Sequence, residues 1–173
     1  MKSIHLLMTA VGLLITSVTI AQIQSVSIQA SGLTCSMCSR AIYKALLKVP
    51  AVSDVKEDIE HASYHVQFSD PSKVSPDKLQ KAVTGAGFSV AWMEVKANFN
   101  NTEVASDSSL KINDLIFNFV DIRKQTLNGE RELLIVDKDY LLEKDRKKYP
   151  GSYQTKPVAG DRGNTFHVTL IQS

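Results

Sequence analysis

Residues Ser25 to Pro50 read SVSIQASGLTCSMCSRAIYKALLKVP, and the change of rhythm inside them decides the fold. Val26, Ile28 and Ala30 alternate with Ser27 and Gln29, the period-two pattern of a half-buried strand. Gly32 breaks that pattern. From Cys38 onward the spacing changes to intervals of three, four or one. Cys38, Ile42, Ala45, Leu46 and Val49 then form one apolar stripe on a helix, and Pro50 stops it. A strand, a tight break carrying Cys35 and a helix opened by Cys38 therefore follow one another directly.

Working outward, a second strand is expected around Val52 to Ile59. A third has Tyr64, Val66 and Phe68 facing in and Ser63, His65 and Gln67 facing out, and Asp70-Pro71 ends it. Ser75-Pro76 supplies a capping hydroxyl and a first-turn proline for a second helix. Leu79, Ala82, Val83 and Ala86 are its stripe, and Gly85 and Gly87 close it. Phe88 to Val95 makes a fourth strand. The order strand, helix, strand, strand, helix, strand is the split βαβ, ferredoxin-like arrangement, with both helices on one face of a four-stranded antiparallel sheet. The predicted class is α+β, with this domain spanning residues 22–96.

Residues 97–109 turn to Asn, Thr, Ser, Asp and Glu and read as a linker. Beyond it, residues 110–173 suggest a small β-rich module. Leu110 to Val120 is strand-like, Asn128-Gly129 is a hairpin turn signal, and Glu132 to Val136 is a further strand. Tyr140 to Tyr149 fits a short charged helix, Pro150-Gly151 and Gly160 to Asn164 are loops, and Thr165 to Gln172 is a final strand. At the other end, Met1 and Lys2 precede an apolar stretch from Ile4 to Ile20 that closes at Thr19-Ile20-Ala21. That grammar predicts a secretory signal peptide over residues 1–21, cleaved after Ala21. The mature chain is expected to be secreted or periplasmic and not membrane-spanning, in a compartment that oxidises thiols.

Composition removes several classes. A chain of 173 residues that is 43% hydrophobic and 22% charged is of globular type, not disordered or coiled coil. A formal charge of +2 gives no basic field for nucleic acid. Two cysteines make neither a disulfide scaffold nor a complete four-thiolate zinc site.

Those two cysteines carry the chemistry. At a strand-to-helix junction, free N–H groups and the helix dipole favour a thiolate. Two thiolates spaced as Cys35 and Cys38 can reach one small soft ion. Cysteine sulfur selects Cu(I), and by the same softness Hg(II) or Ag(I); Zn(II) would need two further ligands. A redox dithiol and an inert structural disulfide are competing readings. Haem attachment is excluded because Ser39, not histidine, follows the second cysteine.

Gly32-Leu33-Thr34-Cys35-Ser36-Met37-Cys38 resembles the metal loop of heavy-metal-associated domains, the family of copper chaperones and copper-ATPase amino-terminal modules. Ala51-Val52, Val66 to Pro71 and Gly85-Ala86-Gly87-Phe88 match further landmarks. The resemblance covers roughly Ser25 to Val95. It implies that Cys35 and Cys38 are metal ligands, that Thr34 shapes the loop and that Phe88 shields it. It departs from the family at Leu33, where methionine is usual, at Ala51, where glycine is common, and at Glu57, where an apolar strand residue is common.

Other candidates have plainer readings. Met37 is expected to face solvent, Met93 beside Trp92 to pack, and His61, His65 and His167 to be solvated. Glu143 to Lys148 reads as a solvated helix face, and Tyr140, Tyr149 and Tyr153 as core. No serine, histidine and acid grouping has supporting context, so no enzyme is expected. The expected function is an extracytoplasmic protein that carries or sequesters a soft metal, Cu(I) first and Hg(II), Ag(I) or Zn(II) after it. It is expected to act as a monomer with a metal-transporting ATPase or another metal donor or acceptor as partner. The alternatives are an extracytoplasmic thiol–disulfide protein, or a non-metal interaction module acting through residues 110–173.

Overall fold

The structure, a computed structural model, describes residues 21–33, 36–149 and 164–171. The expected signal segment, Thr34, Cys35, Tyr153 and most of the two late loops lie outside the described residues. The first elements are β1 (Gln22–Ser31), α1 (Ser36–Leu47), β2 (Val52–Asp58), β3 (Ser63–Phe68), a 3-10 turn (Pro71–Lys73), α2 (Pro76–Gly85) and β4 (Ser89–Val104). Among the described residues, no helix is long and apolar enough to cross a membrane.

The period-two reading of β1 holds in detail: Val26, Ile28 and Ala30 are buried, while Ser27 and Gln29 turn to the other face and are half-exposed. β1 sits between β3 and β4, antiparallel to both. The α1 stripe buries Ile42 and Leu46, and α1 packs on α2 and β2. Ser75 caps α2 by accepting the Lys78 N–H at 3.4 Å, with Pro76 in the first turn. That helix buries Leu79 and Val83. Removing these two side chains from water contributes about 3–6 kcal/mol.

The expected linker takes a different form. Residues 97–104 continue β4, and Ala97, Phe99 and Val104 are buried. Its polar residues occupy the alternate, solvent-facing positions and a bulge, so composition concealed a strand. β4 then pairs with β7 (Gln125–Ile135), and the remaining strands β5 (Ser109–Ile112), β6 (Leu115–Phe119) and β8 (Thr165–Leu170) extend the same sheet. Its order is β2-β3-β1-β4-β7-β8-β6-β5, with β6 and β8 parallel. The strand-rich region is thus the second half of one eight-stranded sheet. Its core side chains Phe117, Phe119, Leu133 and Phe166 join those of the first half in one cluster.

Two turn readings change as well. Asn128-Gly129 lies inside β7, where Asn100 and Asn101 of β4 face Asn128 alone. This is a β-bulge: Gly129 has φ +69°, Asn101 has φ +47°, and the Asn101 N–H donates to Asn128 Oδ1 at 2.6 Å. A bulge and a hairpin both need positive φ, and Asn-Gly supplies it to either. The hairpin turn is instead Asn113-Asp114, between Ile112 and Leu115, which splits the expected strand Leu110 to Val120 in two. The expected charged helix reduces to one turn, α3 (Glu143–Arg146).

Candidate metal site

The site begins where β1 ends. Gly32 takes φ +85°, a conformation that costs an L side chain energy, and turns the chain out of the sheet. Leu33 stays half-buried against the core. Cys38 is the third residue of α1 and is half-buried. Its thiol therefore lies in the first helical turn, among backbone N–H groups that have no partner within the helix. Met37 is 80% exposed, as expected of a residue aimed at solvent. Cys35 lies outside the described residues, and among the described ones no group of three or more His, Cys, Asp or Glu gathers to hold an ion. Cys38 offers a sulfur donor here, of the chemistry that suits a soft ion.

Ser39, next to Cys38 in the chain, belongs to a polar cluster that the sequence did not announce. Ser39 is buried and donates its hydroxyl to Glu57 Oε1 on β2. The Tyr64 hydroxyl on β3 lies 2.8 Å from Ser39 Oγ and donates to the Ser39 carbonyl at 3.2 Å. Glu57 and Tyr64 are cross-strand partners. Tyr64 is 1% exposed, and burial pushes its phenol above the ordinary value. The Ser39 bond opposes that rise, and the charges of Glu57 and Cys38 add to it. Glu57 thus accounts for its own departure from an apolar strand position: it has a hydroxyl partner and helps tie the first turn of α1 to two strands. The signal that could have found this cluster was the acid at an inward position opposite an inward tyrosine.

The remaining candidates are dispersed. Phe88 is half-buried against the core just before β4. Met93 is fully buried, and Trp92 packs on a small cluster of Val120, Val136 and Leu141. His61 is exposed and bonds Asp58 at 2.9 Å. His65 faces Ser27 at 3.2 Å, and burial, then Lys56 and Lys96, hold its imidazole below the ordinary value. His167 departs from the solvated reading: its side chain is 17% exposed and its Nδ1 lies 2.7 Å from Oδ1 of buried Asp137. Tyr140 is buried and stacks edge-on against Phe166 at 5.6 Å.

The sequence of residues 27–89 matches the model of the heavy-metal-associated domain. The mercuric transport protein periplasmic component of Serratia marcescens is 40% identical over 68 residues, which is 39% of this chain and 74% of that protein. The counterpart from Pseudomonas aeruginosa is 38% identical over the same span. Among solved structures, oxidized MerP from Ralstonia metallidurans CH34 is 40% identical and covers 39% of this chain and 96% of its own, with a TM-score of 0.36. A match of residues 27–89 to the family model and an identity of 40% across most of a relative's length lead to one conclusion: this chain belongs to the heavy-metal-associated domain family.

Proposed function

We propose that the protein is an extracytoplasmic carrier or buffer of a soft metal ion, held between the thiolates of Cys35 and Cys38. The observation that carries this reading is the position of Cys38, half-buried in the first turn of α1 and three residues after Cys35, inside the stretch that matches the family. The element order of residues 22–96 suits the ferredoxin-like arrangement, in which such a loop stands at one end of the sheet. The signal-like residues 1–21 and the periplasmic relatives both support a location outside the cytoplasmic membrane.

The ion is Hg(II) or Cu(I), both soft enough for bis-thiolate ligation. Release proceeds by ligand exchange: an incoming thiolate from the acceptor adds to the bound ion, and one of the two original sulfurs leaves. No unfolding is required. A metal-transporting ATPase or another thiolate-bearing donor or acceptor is the partner this chemistry calls for. Because the ligands must lose protons, uptake strengthens as pH rises through the thiol range.

The test uses the mature chain, reduced and purified without oxygen. Titration with Hg(II) or Cu(I) should reach about one ion per monomer, and Cys35→Ser with Cys38→Ser should abolish it. Equal uptake by the double variant would overturn the reading.

A further inference from the structure

We infer that the strand-rich half carries a second binding site, a cavity beside β7 and β8 that takes a small organic carboxylate with an apolar body. The site is independent of Cys38 and of the metal reading.

The cavity encloses about 830 Å³, within the range of about 300–1,000 Å³ common to small-molecule sites. Its floor is apolar: Leu127 is buried, and Ile122 and Leu170 are half-buried against the core. Its rim is cationic, with Arg123, Lys124 and Arg131 exposed around it and Asp121 opposing them. Arg131 is out of place for a strand residue in its register. Alternation along β7 puts it on the same face as Leu133 and Ile135, both fully buried. Its exposure marks the point where the inner layer opens into the cavity.

The walls are tied in place by hydrogen bonds. The Ile122 N–H donates to Ser106 Oγ at 3.0 Å, and the Ser106 hydroxyl donates to the Ile122 carbonyl at 2.9 Å. Gln125 Nε2 donates to the Arg123 carbonyl at 3.3 Å, and the Ile171 N–H to the Glu132 carbonyl at 3.1 Å. The loop after β6, the start of β7 and the end of β8 are thereby held around the opening. A site formed in advance loses less ordering entropy when it binds.

The cations are available to a ligand. Lys124 lies 3.8 Å from Glu103 with both side chains exposed, a pair worth little in water. Arg131 donates one N–H to the Glu130 carbonyl at 2.8 Å and keeps the rest of its fork of donors. Arg123 forms no ion pair with a described residue. Planar guanidinium forks match the two oxygens of a carboxylate. Asp121 on the same rim repels the second charge of a phosphate monoester, so a carboxylate is the head group that fits.

The experiment titrates octanoate, octanol and acetate into the reduced, metal-free mature chain by isothermal titration calorimetry. Octanoate should bind at about one molecule per chain. Octanol and acetate each lack one half of the chemistry and should bind roughly tenfold more weakly or worse. Arg123→Gln with Arg131→Gln should weaken octanoate about tenfold and leave octanol within about twofold, with circular dichroism verifying the fold. Added salt should weaken octanoate and spare octanol in the wild-type chain, a readout that needs no variant. Equal affinity for octanoate and octanol, unchanged octanoate binding in the folded double variant, or no saturable octanoate binding overturns the inference and leaves the metal reading standing.

Discussion

The Tyr140 hydroxyl, in the segment after β7, donates to the Asp77 carboxylate in the first turn of α2. This bond joins residues 63 apart in sequence and ties the two halves of the chain across the helical layer. A second tie lies nearby, where Asn113 Nδ2 donates to the Pro71 carbonyl at 2.9 Å. With β4 running through both halves, the strand-rich region behaves as part of the metal-binding body.

Tyr140→Phe should therefore destabilise the whole chain. A buried hydrogen bond to a carboxylate contributes about 1–3 kcal/mol. Burial, then Asp77, holds the phenol well above its ordinary value, so the donor stays protonated at any working pH. Urea denaturation followed by circular dichroism should give one transition, shifted to lower denaturant. Two separated transitions would contradict a single cooperative body.

Ala51→Gly should stabilise. Ala51 adopts φ +70°, and its carbonyl accepts the Ser69 N–H at 2.9 Å, which locks that conformation. A left-handed alanine costs about 1–2 kcal/mol, and the extra chain entropy of glycine returns part of it. The expected gain is about 0.5–1 kcal/mol, read as a higher melting temperature. A loss would show that the alanine methyl contributes packing worth more than the strain.

Gly129→Ala should cost about 1 kcal/mol. A methyl group there would touch nothing within 4 Å, so the penalty comes from φ +69° alone. Gly129→Asn should cost less, because asparagine tolerates that region better. Equal losses in the two variants would point to the bulge sequence rather than the backbone angle.

Glu94 should give stability a pH slope. It is half-buried on β4, and burial, with a smaller push from Glu132, raises its carboxyl from 4.5 to about 7. Between those values the folded form binds a proton that the unfolded form has lost, so stability falls as pH rises through that window. Solvent screening limits the effect to the order of 1 kcal/mol. Glu94→Gln should flatten the slope between pH 5 and about 7 in denaturation midpoints; an unchanged slope would assign it to other groups.

Half of the fold was legible in the chain. Alternation in β1 and β3, the stripe of α1 and the Ser75-Pro76 cap are local signals, because each depends on the geometry of one element. The cysteine spacing at Gly32 to Cys38 is local too, and so is the chemistry of two thiolates. Glu57 looked like a misfit because its partners, Ser39 and Tyr64, are 18 and 7 residues away and meet it only across the sheet and the helical layer.

Residues 97–104 and Asn128-Gly129 misread for a related reason. Polar side chains and positive-φ residues state what a backbone can tolerate, not which strand will lie beside it. Periodicity alone determined that a strand gives way to a helix that carries Cys38 in its first turn. Tertiary pairing alone decided that β4 crosses into the second half, that Asn-Gly makes a bulge, that His167 meets a buried aspartate and that Ser39 meets Glu57 and Tyr64. Those outcomes depend on contacts between distant residues, whose energies no short window of sequence contains.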